Sequence, residues 1–147
     1  MARVQLNLPS QYLFSMEMRV RYGDLNTANH VGNDQIFSLV NEARNNFFEF
    51  LELDSTDMDG CSILVGDVAA IYKAEGFEKN VLLFEVTVGD FNKYGCDLLT
   101  KITNLTRGKV QTEIKTGIVF FDNQEQKISP VPNAFMQAIE KARASLL

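Results

Sequence analysis

From Tyr12 to Tyr22 the chain alternates between apolar and polar positions, with Phe14, Met16, Met18, Val20 and Tyr22 on one face. That is the period of a half-buried strand. After residue 33 the period changes. Over residues 34–51, Ile36, Val40, Ala43, Phe47 and Leu51 fall on one stripe of a helix. Leu39 and Phe50 flank one side of the stripe, and Phe37 and Phe48 the other. So wide an apolar arc predicts a helix covered over most of its surface, about 27 Å long at 1.5 Å per residue. Asn33 is placed to cap it, and Asp34 suits the positive end of its dipole.

The remainder reads mostly as strand. Segments 62–72, 81–92, 96–105 and 110–121 are rich in β-branched and aromatic residues. The last three are joined by short turns at Lys93-Tyr94-Gly95 and Thr106-Arg107-Gly108-Lys109, the pattern of an antiparallel meander. Strands of this length reach about 33–40 Å, enough to wrap the helix. The tail 129–147 opens with Pro130 and Pro132, then follows helical spacing through Phe135, Ile139, Ala142 and Leu146, which predicts a short surface helix. With no linker or repeat, residues 1–147 are expected to form one α+β domain in which a curved antiparallel sheet surrounds a long central helix. Such a sheet has open edges, and pairing of two copies would remove one of them, so a dimer is expected.

Composition narrows the function. The net charge is −5 and the 14 basic residues are scattered, which argues against a nucleic-acid partner. No stretch approaches the roughly 20 apolar residues of a membrane span. The two cysteines, Cys61 and Cys96, have no metal-ligand spacing, and no secretory leader is recognisable. A soluble, cytoplasmic protein is therefore expected, and Cys96 reads as a core thiol.

The densest chemistry lies in one polar loop. It runs Arg21-Tyr22-Gly23-Asp24-Leu25-Asn26-Thr27-Ala28-Asn29-His30-Val31-Gly32, contains the one histidine of the chain, and opens onto the apolar helix. A helix start presents unpaired N–H groups, which can grip a carbonyl oxygen while a positioned water attacks the carbon.

Together with Glu42-Ala43-Arg44 on the helix and the segment Tyr72-Lys73-Ala74-Glu75-Gly76-Phe77, this loop resembles the hotdog-fold thioesterases of the 4-hydroxybenzoyl-CoA thioesterase-like group, over roughly residues 12–143. The resemblance implies the hotdog fold, hydrolysis of an acyl-CoA or acyl-carrier thioester, a homodimer or tetramer, and no cofactor or metal. It also implies that backbone N–H groups near Gly32 and Asn33 bind the thioester carbonyl. In the family the second acid of the loop positions or activates water, or attacks the thioester. Here that position is Asn26. An amide can hold a water but cannot take its proton.

Two residues lead as candidates for the proton; Asp34 could also serve as base, although a first-turn aspartate is more often a dipole complement. His30 has an imidazole suited to the task, or else only caps the loop. Its following residues, Val31-Gly32-Asn33, partly match the His-Val-Asn-Asn of acyl-carrier-protein thioesterases. Glu42 lies on the polar arc of the helix with Ser38, Asn45 and Glu49, and would act only if a partner subunit covered that face. Arg44 falls inside the apolar arc and is expected to pair with Asp24. Phe37 is core by default, with an acyl-lining role as the alternative. The resulting candidate set is Asn26, His30 and Glu42 for catalysis and Gly32, Asn33 and Phe37 for the substrate. The missing acid at position 26 leaves open a second function, a non-catalytic acyl-CoA-binding module on the same fold.

Overall fold

The computed structural model describes residues 3–146. Its elements run β1 (Phe14–Arg19), a 3-10 turn (Tyr22–Asp24), α1 (Asn33–Phe50), β2 (Cys61–Tyr72), β3 (Val81–Gly89), β4 (Gly95–Asn104), β5 (Lys109–Asp122), β6 (Lys127–Ser129) and α2 (Asn133–Ala144). The strands form one antiparallel sheet in the order β1-β3-β4-β5-β2, with the short β6 added to β5. The meander β3-β4-β5 is as the sequence predicts. β2 does not continue it, but crosses to pair with β5 and so becomes an edge. The α+β hotdog architecture is thus present, with a long helix, a six-stranded antiparallel sheet and a short C-terminal helix.

Alternation in the strands explains which face meets the helix. Leu82, Phe84, Val86 and Val88 of β3, Leu98 and Ile102 of β4, and Ile114, Ile118 and Phe120 of β5 are all buried. The predicted stripe of α1 is buried too: Ile36, Val40, Ala43, Phe47 and Leu51, with Phe48 and Leu39 beside it. Each fully buried Phe contributes about 1.5–3 kcal/mol. The helix is less enclosed than its arc predicts. Phe37 and Phe50 are exposed at 39% and 46%, because the sheet covers only one side of α1. Phe50 rests against Phe14 of the edge strand, with ring centroids 5.3 Å apart.

Other boundaries also move. β1 stops at Arg19: Val20 stays buried, but Tyr22 turns into the 3-10 segment and is exposed. The helix begins one residue earlier than predicted, so that Gly32 is its cap and Asn33 its first residue. The tail helix is more than a surface appendage. Phe135 and Ile139 are fully buried, and Phe135 sits among Phe48, Phe91 and Phe120 at one end of the core. Leu146 is exposed beyond the helix, and Leu147 of the predicted tail lies outside the described residues. Cys96 is buried as expected; desolvation, and then Asp97, push its thiol up to about 12. Among the described residues no helix is long and apolar enough to cross a membrane.

Candidate functional site

Residues 21–32 are tied down by Asp24. Its side chain is only 1% exposed, yet it accepts from the Arg21 backbone N–H at 2.8 Å, from Arg21 Nη2 at 3.0 Å and Nε at 3.3 Å, and from Gln35 Nε2 at 3.0 Å. Burial pushes the carboxyl up, but the Arg21 guanidinium and N–H together with the Gln35 amide outweigh it. The net effect holds the group below the ordinary aspartate value. The expected Asp24–Arg44 pair is therefore replaced. Arg21 is adjacent in the turn and Gln35 is on the first turn of α1, so both reach Asp24 locally, whereas Arg44 lies more than two turns further along the helix. Arg44 is half-buried, and desolvation lowers its pKa.

Beyond Asp24 the chain makes a small closed loop. Asn26 N–H donates to the His30 carbonyl at 2.9 Å, and Asn29 N–H to the Asn26 carbonyl at 3.0 Å. Asn29 takes φ +64°, the left-handed conformation that asparagine tolerates better than most residues. Asn26 Oδ1 accepts from the Ala28 N–H at 2.9 Å. The amide oxygen is thus partly spent on shaping the turn, and Nδ2 remains as a donor.

The loop is docked on the β2–β3 connection. Val31 N–H donates to the Gly76 carbonyl at 2.8 Å, which sets the neighbouring residues His30 and Glu75 side by side, with Nε2 and Oε1 3.7 Å apart. Phe77 meets the His30 ring edge-on at 6.4 Å and carries the Arg107 guanidinium on its own face. At Gly76 a Cβ would lie 2.7 Å from Gln111 Oε1 and 2.8 Å from Nε2, so a larger residue there would displace the Gln111 amide. Gln111 is in turn held by Asn104 Nδ2, which also donates to Asn80 Oδ1.

A cavity of about 300 Å³ opens between these pieces, lined by Asn26, His30, Asn33, Tyr72, Glu75 and Thr112, among others. Val31 and Ile36 give it apolar walls. Its polar inner side comes from an irregularity in the sheet. The β4–β5 register shifts between Ile102 and Thr103, so Gln111 is left without a partner on β4. That bulge turns both Gln111 and Thr112 inward, breaking the alternation. Among the described residues the buried Thr112 hydroxyl has no hydrogen-bond partner. Tyr72 Oη donates to the Asn33 carbonyl at 3.0 Å and pins β2 to the start of α1.

The structure thus gathers Asn26, His30 and Asn33 of the predicted set into one cavity. Gly32 lies behind them, its N–H directed to the Asp24 carbonyl at 3.4 Å. The Asn33 N–H is then the first in α1 without a helical acceptor. Phe37 is one turn further along, exposed and not among the cavity-lining residues. Glu42 is in a separate groove with Arg19, Arg21, Gln35 and Ser38, and its carboxylate accepts from Asn46 Nδ2 at 3.1 Å. Sequence reasoning missed Glu75, Gln111 and Thr112. Glu75 stood in a segment singled out for its shape alone, and nothing local announces a bulge at Gln111.

Known proteins agree with this fold. No curated protein matches the chain by sequence. Among solved structures, the 1,4-dihydroxy-2-naphthoyl-CoA thioesterase from Synechocystis superposes with a TM-score of 0.78 at 18% identity, covering 86% of this chain and 94% of that one. The PA2801 protein from Pseudomonas aeruginosa gives 0.78 at 24% identity, over 88% and 99%. The SAV2348 protein from Staphylococcus aureus, solved in complex with CoA, gives 0.80 at 12% identity, over 95% and 89%. The sequence model of the Thioesterase-like superfamily matches residues 20–139. That span takes in the polar loop, the long helix, strands β2 to β6 and the first half of the closing helix, and the chain belongs to the Thioesterase-like superfamily.

Proposed function

We propose that this chain hydrolyses an acyl-CoA, or an acyl-carrier thioester, to the free acid and thiol. The observation that carries the reading is the meeting of the histidine, the Asn26 amide and the start of α1 in one cavity. The thioester carbonyl lies against the Asn33 N–H, where the positive end of the helix favours the negative charge that develops on its oxygen. Asn26 Nδ2 adds a second donor. A water gives a proton to His30 as its oxygen bonds to the carbonyl carbon. The C–S bond then breaks, and the imidazolium returns the proton to the departing thiolate. Glu42 has no part in this scheme, because it lies in the other groove. Phe37 offers an apolar contact just outside the cavity, and the free Thr112 hydroxyl faces no competing protein acceptor. Coenzyme A as the carrier is supported by similar folds: the Staphylococcus aureus protein was solved with CoA, and the Synechocystis enzyme acts on a CoA ester.

The reading is tested by offering the purified protein a panel of aliphatic and aromatic acyl-CoA esters and following free thiol. Release well above the buffer rate is expected for at least one ester. Saturable binding with no release from any of them would replace the enzyme by a non-catalytic acyl-CoA-binding module.

The working unit in this reading is a homodimer formed along β2. That edge strand has twelve residues and exposes Leu64, Val65, Val68 and Tyr72 at 42–46%. A long apolar edge invites a second strand, and Tyr72 sits on both the edge and the cavity, so a second copy would help to wall the site. Light scattering should give the mass of two chains, falling to one in Val65→Lys. A wild-type mass of one chain would remove the dimer from the reading.

A further inference from the structure

We propose that Glu75 is the positioning residue for His30, supplying from the β2–β3 connection the carboxylate that position 26 lacks. The inference rests on the hydrolase reading above and adds to it a residue and a role. Its basis is geometric. The Val31–Gly76 backbone bond joins the two segments one residue away from the pair, so His30 and Glu75 are held opposite one another by main chain. Gly76 packs directly on the Gln111 amide, and Gln111 is anchored through Asn104 to Asn80 in a buried chain of amides. The backbone beneath Glu75 is thus held on both sides, by Val31 and by the Gln111 amide. Phe77 closes the edge of the imidazole. Glu75 Oε1 stands 3.7 Å from His30 Nε2, a gap that a small turn of the exposed glutamate closes, as such contacts do when substrate excludes water.

A carboxylate facing Nε2 selects the neutral tautomer with its proton on that nitrogen. Nδ1 then keeps the lone pair. In the reaction the water proton passes to Nδ1 while the water oxygen bonds to the carbonyl carbon. The imidazolium so formed keeps its Nε2 proton directed at the Glu75 carboxylate. When the C–S bond breaks, the Nδ1 proton goes to sulfur. Glu75 thus acts through the histidine and touches no reacting atom. Other carboxylates near the loop stand differently: Asp24 is consumed by Arg21 and Gln35, Glu42 is held by Asn46 in the other groove, and Asp34 lies against Gly32 in the first turn of α1 rather than among the residues lining the cavity.

The experiment uses two readouts, one of which does not need turnover. The chain has a single histidine, so its ¹⁵N ring signals need no assignment by mutation. In the wild type, at about pH 8.5 where an ordinary imidazole is neutral, the shifts should show the proton on Nε2. In Glu75→Gln that preference should weaken. On the best ester of the panel, Glu75→Gln should lower kcat about tenfold with KM changed less than about twofold. This is a smaller loss than for a buried orienting carboxylate, because Glu75 is two-thirds exposed. Glu75→Asp should recover part of the rate, and in a His30→Ala background Glu75→Gln should cost nothing more. The proposal is overturned by an unchanged tautomer, by a change confined to KM, or by an equal kcat loss without His30. If no ester turns over, the tautomer still decides whether Glu75 orients His30, and only the hydrolase reading falls.

Discussion

His30→Ala is expected to lower kcat about 10²–10⁴-fold, the usual worth of general acid–base assistance, while leaving KM within about threefold. The size follows from what remains in the cavity. Asn26 has no basic atom, and its Oδ1 already accepts from Ala28. Thr112 and Tyr72 carry hydroxyls, which are poor bases near neutrality, and Tyr72 spends its proton on the Asn33 carbonyl. Among the described residues Glu75 is the one carboxylate lining the cavity. A carboxylate is a far weaker base than an imidazole, so it does not replace the histidine. The donors at the start of α1 are untouched by the substitution. They keep a residual rate, since an oxyanion donor alone is worth about 10²–10³. Ground-state binding survives because the apolar walls at Val31 and Ile36 are unchanged. Steady-state kinetics on the best ester of the panel check this. A kcat within about threefold of wild type would show that the proton goes elsewhere and would end the role assigned to His30. His30→Gln is the useful companion, since it keeps hydrogen bonding at the ring position without the basicity.

What the sequence disclosed and what it withheld follow from the range of the interactions involved. The α1 stripe, the β3-β4-β5 meander and the polar loop are local patterns, written in periods of 3.6 and 2 and in short turns, and each is present. The clustering of Asn26, His30 and Asn33 was legible for the same reason, because the three fall within eight residues of one turn-rich loop that closes on itself through the Asn26–His30 and Asn29–Asn26 backbone bonds. Arg44 and Phe37 misled because a helical wheel gives an angle but not which side the sheet covers. Phe37 is exposed and Arg44 half-buried. Glu42 shows the same limit: one helix face away from Asn33, it belongs to a different groove. Glu75 was out of reach for another reason. Its place beside His30 depends on a backbone bond between positions 31 and 76, a contact spanning 45 residues that no local period encodes. The bulge at Gln111 is a long-range effect too, since it exists only as a mismatch between two paired strands.

Asp24→Ala is expected to cost about 2–3 kcal/mol of folding stability at pH 7, the worth of hydrogen bonds to a buried charge left without their acceptor. Arg21 contributes little of that loss, since its guanidinium is exposed and returns to water. The cost comes from the Arg21 backbone N–H and the Gln35 amide, and from freeing the turn that leads into the histidine loop. The dependence on pH has a definite sign. The folded-state pKa of Asp24 is depressed, so its contribution is fully present above the unfolded value of about 3.9. It is lost as pH falls through the lower folded value. Urea unfolding of wild type and variant should therefore differ most near neutrality, and the two curves should draw together below about pH 4. Asp24→Asn is expected to fall between them at pH 7, because an amide offers one acceptor oxygen where Asp24 uses both, Oδ1 for Arg21 Nη2 and Gln35 and Oδ2 for the Arg21 N–H. The same loosening should reduce turnover. The Asp24 carbonyl receives the Gly32 N–H, and this short link sets where α1 begins relative to His30. A stability change below about 0.5 kcal/mol, the range of ordinary surface substitutions, would show that the turn holds itself without the carboxylate. The loop would then owe its shape to the Val31–Gly76 bond and the asparagine turn alone.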